Sequence, residues 1–307
     1  MRILITGGAG FLGTALANAL VQQGHEVLAI DDLSSGDCAH LDKRVLFHRG
    51  SVHDRPKLWT LLQGVDCVYH LAARVLVAES VIYPREYNEV NVGGTVALLE
   101  AMRDVGVPRL VLASSGAVYG EQAAQPISEE ACPNPQSPYA VSKLAAEQYT
   151  HTIGALWGIA TVVLRIFNAY GPHQPLPPFH APVVPYFLRQ ALGGGSLVIF
   201  GDGTQTRDFA YVDDVVTALL AAGLNPQLNR QTINVGSGVE TSINEVARLV
   251  LKLTNASSNL LYNSVENGGV SRLQADVTLA RSLLGYRPGV SLEEGLHRTL
   301  AGDERFK

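Results

Sequence analysis

Cysteine is scarce in this chain. The 307 residues hold three, Cys38, Cys67 and Cys132, odd in number and far apart. They make neither a disulfide framework nor a metal knuckle, and they read as buried thiols. Positive charge is also short, with 23 Lys and Arg against 28 Asp and Glu, a formal net charge of −5. That balance excludes binding driven by counterion release from nucleic acid or by attraction to an anionic membrane. No apolar run approaches the roughly 18 residues of a membrane-spanning helix, and Met1 to Gly8 lacks the regions of a secretory signal. A cytoplasmic protein is expected, with neither nucleic acid nor membrane as partner and no metal. What is there is an ordinary globular composition, 47% hydrophobic and 17% charged, with 30 Gly and 15 Pro. It is enough chain for one large α/β domain or two smaller ones.

The first third alternates short β-branched runs with helical stretches, the pattern of βαβ units feeding a doubly wound parallel sheet. Candidate strands are Ile3 to Thr6, Glu26 to Ile30, Val45 to His48, Cys67 to His70, Arg109 to Ala113 and Thr161 to Phe167. Phe11 to Gln23, Asn91 to Val105 and Tyr139 to Trp157 read as helices, and Gly24 and Gly106 stand where the first two should stop. After Asn168 the texture changes. Gly171 to Pro185 contains Pro172, Pro175, Pro177, Pro178, Pro182 and Pro185, a density that predicts a functional loop or lid. Further on, Ser242 with Glu245 and Ser291 with Glu294 have capping-box spacing and predict helix starts in a smaller C-terminal α/β region. No internal repeat or linker separates the two parts.

Directly after the first strand stands Gly7-Gly8-Ala9-Gly10-Phe11-Leu12-Gly13. Glycines there permit positive φ, let the backbone approach a pyrophosphate and let the helix pack close to the sheet, while the helix N-terminus faces the phosphate charge. A glycine turn that binds nothing is the plain alternative. Asp31 closes the second strand, eighteen residues beyond Gly13, and strengthens the dinucleotide reading. Its carboxylate can accept both hydroxyl protons of an adenosine ribose, and with Asp32 beside it would repel a 2′-phosphate, so NAD is favoured over NADP. The plain alternative is a solvated strand end.

Ser114-Ser115-Gly116-Ala117-Val118-Tyr119-Gly120 follows the fifth strand, and Tyr139 and Lys143 lie four apart in the next helix. That spacing puts phenol and ammonium on one face, where the cation lowers the phenol from its usual value of about 10 toward that of a general base. Ser115 at the strand end can hydrogen-bond the same substrate oxygen. A Tyr and Lys at this spacing are commonly only a surface pair; the dinucleotide fingerprint upstream gives them weight.

These residues, with His70-Leu71-Ala72-Ala73, Asn91, Arg165 to Asn168 and Arg207 to Asp214, resemble the extended short-chain dehydrogenase/reductase family, most closely its nucleotide-sugar epimerases of the UDP-glucose 4-epimerase type. The resemblance covers nearly the whole chain. It implies a Rossmann domain over 1–167 plus about 208–236, and a substrate domain over 168–207 and 237–307. It implies tightly held NAD, lined by Gly7, Gly10, Phe11, Leu12, Gly13, Asp31, Asp32, Ser35, Gly36, Ser51, Val52, Leu71, Ala72, Ala73, Asn91, Tyr139, Lys143 and Ile166. Tyr139 takes the proton of the sugar 4-hydroxyl while the C4 hydride passes to the cofactor, and the 4-keto sugar turns over before the hydride returns. Ser115 shuttles or stabilises that proton, and Lys143 also bonds the nicotinamide ribose. Asn168, Val183, Phe200 and Arg207 fall at positions that hold the nucleotide diphosphate of the substrate, a UDP-sugar. A homodimer through helices Asn91 to Val105 and Tyr139 to Trp157 is implied as well. Without the family, Phe200 reads as a core strand residue, Arg207 as the partner of Asp208 or Asp214, and Asn168 as a turn cap.

Three departures matter. Dehydratases of this family carry an Asp-Glu pair directly after the hydroxyl residue and the related decarboxylases a Glu at the second place, where Gly116 and Ala117 stand here; neither side chain can move a proton. Near the C-terminus the epimerases show Arg-x-Gly-Asp, whereas this chain reads Glu266-Asn267-Gly268-Gly269, so Arg272 is the candidate replacement on the pyrophosphate. Ser51 replaces an Asp at the adenine contact. An epimerase at C4 is the reading. A 4-keto-sugar reductase shares the triad, and a dinucleotide-sensing regulator would need only the glycine turn.

Overall fold

The computed structural model describes residues 1–264 and 269–307. Along the chain run β1 (Arg2–Thr6), α1 (Phe11–Gln22), β2 (Glu26–Asp31), β3 (Leu46–Arg49), α2 (Arg55–Leu61), β4 (Cys67–His70), α3 (Val77–Ile82), α4 (Pro84–Tyr87), α5 (Gly94–Val105), β5 (Arg109–Ser115), α6 (Pro138–Trp157) and β6 (Ala160–Ile166). Then follow β7 (Asn168–Tyr170), α7 (Val183–Leu192), β8 (Leu197–Phe200), β9 (Thr206–Tyr211), α8 (Val212–Leu224), β10 (Gln231–Val235), β11 (Glu240–Ser242), α9 (Ile243–Thr254), β12 (Leu260–Asn263), α10 (Thr278–Leu284) and α11 (Leu292–Gly302).

Seven strands form one parallel sheet in the order β10-β6-β5-β4-β1-β2-β3. Helices cover both faces, so Ile3, Leu4 and Ile5 are all fully buried, a continuous apolar run rather than an alternating one. Ile3, Ile5 and Ala29 join one core with Leu16 and Leu20 of α1 and with α8, while Leu4, Leu28 and Ile30 meet Leu58, Leu98 and Met102 of α2 and α5. The chain leaves β1 in one direction to β2 and later in the other to β4. The crevice beyond the carboxyl ends of β1 and β4 is therefore the place where such sheets take ligands.

Beside this sheet stand a three-stranded sheet, β11-β9-β7, and a parallel pair, β12-β8. The chain crosses back to the large sheet with α8 and β10, so position 208, a boundary suggested by the resemblance, falls inside β9 of the small sheet. The expected strands are present with ends shifted by a residue or two. The helix expected from Asn91 begins at Gly94, because Asn88 to Gly93 form a π-helical turn first. Ser242 and Glu245 make both bonds of the capping box at α9, whereas Ser291 caps α11 through the Glu294 N–H. Pro185, expected in a loop, lies in the first turn of α7, where a missing N–H costs nothing. Cys67 is buried, but Cys38 and Cys132 are exposed, which corrects the reading of all three as buried thiols. Glu266 lies outside the described residues. Among the described residues no helix is long and apolar enough to cross a membrane, and no cluster of His, Cys, Asp or Glu could hold a metal ion.

Candidate active site and cofactor cleft

Each glycine of the first turn has its own reason. Gly7 is left-handed at φ 70°, and a Cβ there would stand 2.6 Å from the Ala72 nitrogen. Gly13 packs so tightly on the Gly7 carbonyl that a side chain would overlap it. Gly10 is different: a Cβ would meet only the Gly7 oxygen, at 3.2 Å, so the space in front of it is open. Gly10 is also the N-cap of α1 and offers no side-chain cap, and Phe11 and Leu12 begin the helix behind it. Uncapped N–H groups beside an open glycine fit a pyrophosphate.

Asp31 ends β2 with its carboxylate turned to this turn, accepting the Ala9 N–H at 3.1 Å and the Leu33 N–H at 2.8 Å. Burial pushes its pKa up and these bonds oppose the rise. Asp32 instead caps its own loop through the Ser34 N–H. The Ser35-Gly36 segment lies against the glycine turn, with the Asp37 N–H donating to the Ala9 carbonyl at 2.9 Å. Ser51 and buried Val52 follow Gly50, whose N–H donates to the Asp31 carbonyl, so they stand next to the expected ribose position. A cavity of about 910 Å³ opens here, bounded by Gly10 and Phe11, by Ser34 and Ser35, by Ala73 to Leu76 and by the proline-rich segment.

The segment Leu71 to Ala73 is held by a directed chain of bonds that the sequence did not reveal. Thr95 Oγ1 donates to the Asn91 carbonyl at 2.6 Å, so it accepts from His70 Nε2 at 3.0 Å. His70 Nδ1 then accepts from Thr6 Oγ1 at 2.6 Å, and that oxygen accepts the Ala72 N–H at 3.3 Å. Burial, with Lys143 nearby, pulls His70 down to about 3, so it stays neutral in this tautomer. Asn91, expected to line the cofactor, is 2% exposed and its amide is spent on Arg74 and Ser142. It shapes the wall by holding the Arg74 backbone and does not face the cavity.

Tyr139 and Lys143 lie one turn apart on α6, and Ser115 stands at the end of β5 near Tyr139. Ser137 caps α6 through the Ala140 N–H and Pro138 occupies the first turn, which fixes where the helix begins and hence how Tyr139 projects. Ser115 ends β5 and pairs with Ile166 of β6; its Oγ accepts the Ala117 N–H at 3.2 Å and lies near the Tyr139 phenol. Tyr139 and Lys143 are buried, and the Tyr87 ring stands edge-on to Tyr139 at 6.4 Å. Burial pushes the Tyr139 phenol up, against the fall that the spacing predicts, and the nearby Ser115 hydroxyl opposes that rise. Burial also brings Lys143 down to about 8, with the Glu147 charge opposing. Tyr87 had no sequence signal; its hydroxyl donates to the Leu76 carbonyl at 2.7 Å and so ties the cavity wall to the wall around the Tyr139 phenol.

The substrate positions divide. Asn168 opens β7, half-buried, and Val183 opens α7. Phe200 ends β8 at 40% exposed, so it is not a core residue and presents its ring for stacking. Arg207 is partly buried and, among the described residues, makes no ion pair; its Nη1 donates to the Thr206 carbonyl and Glu121 lies near. Asp208 is occupied by the N–H groups of Ser237, Gly238 and Ala275, and Asp214 by those of Gly289 and Val290, so neither neutralises Arg207. Arg272 is a correction. Its guanidinium is bidentate on Glu240, Nε and Nη2 each at 2.7 Å, which commits the charge expected to replace the arginine missing at Glu266.

The UDP-glucose 4-epimerase of Mycolicibacterium smegmatis is 39% identical over 307 residues, covering 98% of this chain and 97% of that protein. The crystal structure of UDP-glucose 4-epimerase from Thermotoga maritima with UDP-glucose superposes with a TM-score of 0.93 at 36% identity, covering 98% of each chain. That of the Thermus thermophilus UDP-glucose 4-epimerase with NAD gives 0.92 at 34%, again over 98% of each. A family model for the NAD dependent epimerase/dehydratase family matches residues 3–236, from β1 through the glycine turn and the triad to β10. The chain belongs to the NAD-dependent epimerase/dehydratase family.

Proposed function

We propose that this protein inverts C4 of a nucleotide-diphosphate sugar, a UDP-hexose or UDP-hexuronic acid, through a transient 4-keto intermediate. The observation that carries the reading is the half-buried Ser115 beside the buried Tyr139 and Lys143, with Gly116 and Ala117 following Ser115. Tyr139 exchanges a proton with the 4-hydroxyl, Ser115 holds the same oxygen, and Lys143 keeps a positive charge beside the phenol. Bound NAD supplies the hydride acceptor and returns the hydride. A Cβ at Gly116 would press on the Phe167 ring at 3.1 Å, so this position has no room for an elimination acid without rearrangement. Arg207, partly buried and without an ion pair among the described residues, meets the diphosphate, Phe200 faces the base, and Asn168 and Val183 complete the nucleotide grip. In this reading the large sheet holds the cofactor, and residues 168–207 with 237–307 hold the sugar nucleotide.

The relatives named UDP-glucose 4-epimerases make UDP-glucose the first substrate to try. The deciding experiment incubates the NAD-loaded protein with UDP-, dTDP- and GDP-sugars and resolves the products. A C4 epimer of a UDP-sugar, formed without net NADH, is the expected result. Stoichiometric NAD(P)H consumption with a 4-keto sugar would instead establish the reductase. We propose a homodimer as well: α6 exposes Val141 and Tyr149, and α3 beside it exposes Val81 and Ile82, apolar surface that a second copy would cover.

A further inference from the structure

Two segments that line the 910 Å³ cavity meet through a pair of histidine rings. One runs from Leu33 to Asp42; its Ser34, Ser35, Asp37 and His40 line the cavity. It is tied to the glycine turn by Asp37 N–H on the Ala9 carbonyl and to α1 by Asn18, which donates to the His40 carbonyl at 2.9 Å. The other is the proline-rich segment, whose Pro172, His173, Pro175 and Leu176 also line it. His173 is held in the left-handed region at φ 63°, uncommon for a residue with a side chain, and its N–H donates to Asp303 at 2.8 Å. Arg305 pairs with Asp303 and donates to the Gln174 carbonyl, so the end of the chain fixes the His173 side. The His40 and His173 rings stack with centroids 3.8 Å apart and an interplanar angle of 22°. Among the described residues no hydrogen bond or ion pair joins the two segments, so the stack is their polar-group contact.

Resting on the assignment of this cavity to NAD, we propose that the His40–His173 stack is a clasp that retains the cofactor, positioning the 33–42 segment over it until the rings part. The rings attract while at most one is charged, and repel once both are. His173 faces His40 across the contact and Asp303, Glu304 and Arg305 from the terminal turn; burial, and then the His40 charge, hold its pKa below the usual value. On the His40 side the nearby charged groups are Asp37, which caps the short turn holding His40, and the Asp42–Arg44 pair beyond it. Acid strong enough to charge both rings therefore opens the clasp.

Protein loaded with NAD is chased with excess labelled NAD, and release is followed at pH 7.5 and 5.5. His40→Ala and His173→Ala should each release NAD roughly three- to tenfold faster at pH 7.5, the worth of one ring pair. The natural protein should speed up by a comparable factor on acidification. The double variant His40→Phe/His173→Phe keeps two flat rings without charge, and should release slowly at both pH values. Natural release rates in both alanine variants, or an acid acceleration that persists in the phenylalanine pair, would overturn the clasp. Release needs no sugar substrate, so a failure of the epimerase reading is seen separately.

Discussion

Arg165 presents Nε and Nη2 to the carboxylate of Glu147 at 3.0 and 2.7 Å, in an ion pair whose two side chains are 6% and 2% exposed. Glu147 lies one helical turn beyond Lys143 and also takes the hydroxyl of Ser114, the neighbour of Ser115. Arg165 extends from β6 and stands 4.7 Å over the Tyr119 ring. The pair thus ties β6 to α6, and the Ser114 hydroxyl on the same carboxylate ties in β5, the strand that carries Ser115.

Breaking that pair from one side leaves a buried guanidinium uncompensated. Glu147→Gln should lose about 3–5 kcal/mol of stability in urea unfolding, whereas Glu147→Leu/Arg165→Met should lose much less. Equal losses in both variants would show that packing, not charge, governs this contact.

Tyr139→Phe should lower kcat by about 10² to 10⁴, with NAD still bound. The pH dependence follows from Lys143, which gives up its proton near 8. Activity that needs the ammonium should fall as pH rises through that value. Stability moves the other way: between about 8 and the ordinary lysine value of about 10.4 the unfolded chain holds more protons, so this group favours folding as pH rises. A kcat profile flat to pH 9.5 would refute the role of the charge.

Arg207 and Arg272 separate the two pyrophosphate candidates. Arg207→Ala should raise KM for the sugar nucleotide by about 10- to 100-fold, the worth of a charged hydrogen bond. Arg272→Ala, which breaks an exposed pair with Glu240, should leave KM within about twofold. The reverse order would return Arg272 to the phosphate site.

The glycines should fail in different ways. Gly13→Ala puts a methyl into the Gly7 carbonyl and should lower thermal stability before any ligand is added. Gly10→Ala meets only a 3.2 Å contact in the protein itself, so its melting point should stay close to the natural one while NAD binding is lost. Calorimetry with and without NAD distinguishes the two.

Light scattering at micromolar concentration should give about twice the 32.8 kDa chain mass. Val141→Glu, which charges the exposed apolar face of α6, should give the single-chain mass.

Much of the framework was legible because it depends on near neighbours. The βαβ alternation, the glycine turn and the four-residue spacing of Tyr139 and Lys143 all follow from backbone preferences and helix period. The π turn over Asn88 to Gly93 escaped a reading based on the 3.6-residue period, since its bonds span five residues. Phe200, in the run Leu197-Val198-Ile199-Phe200, looks like core, yet its two-stranded sheet leaves it exposed.

By itself the sequence determined the parallel sheet, the glycine turn and the placing of Tyr139 and Lys143 one turn apart on one helix. Tertiary structure alone decided the state of the charges around them. Arg272 is spent on Glu240, 32 residues away, while among the described residues Arg207 makes no ion pair, with Asp208 and Asp214 serving backbone N–H groups and Glu121 near but not paired to it. His40 and His173, far apart in the chain, meet face to face. The physical reason is one of range: φ, capping and helix spacing are settled within a few residues, whereas pairing, burial and the resulting pKa depend on which distant segments the fold brings within a few ångströms.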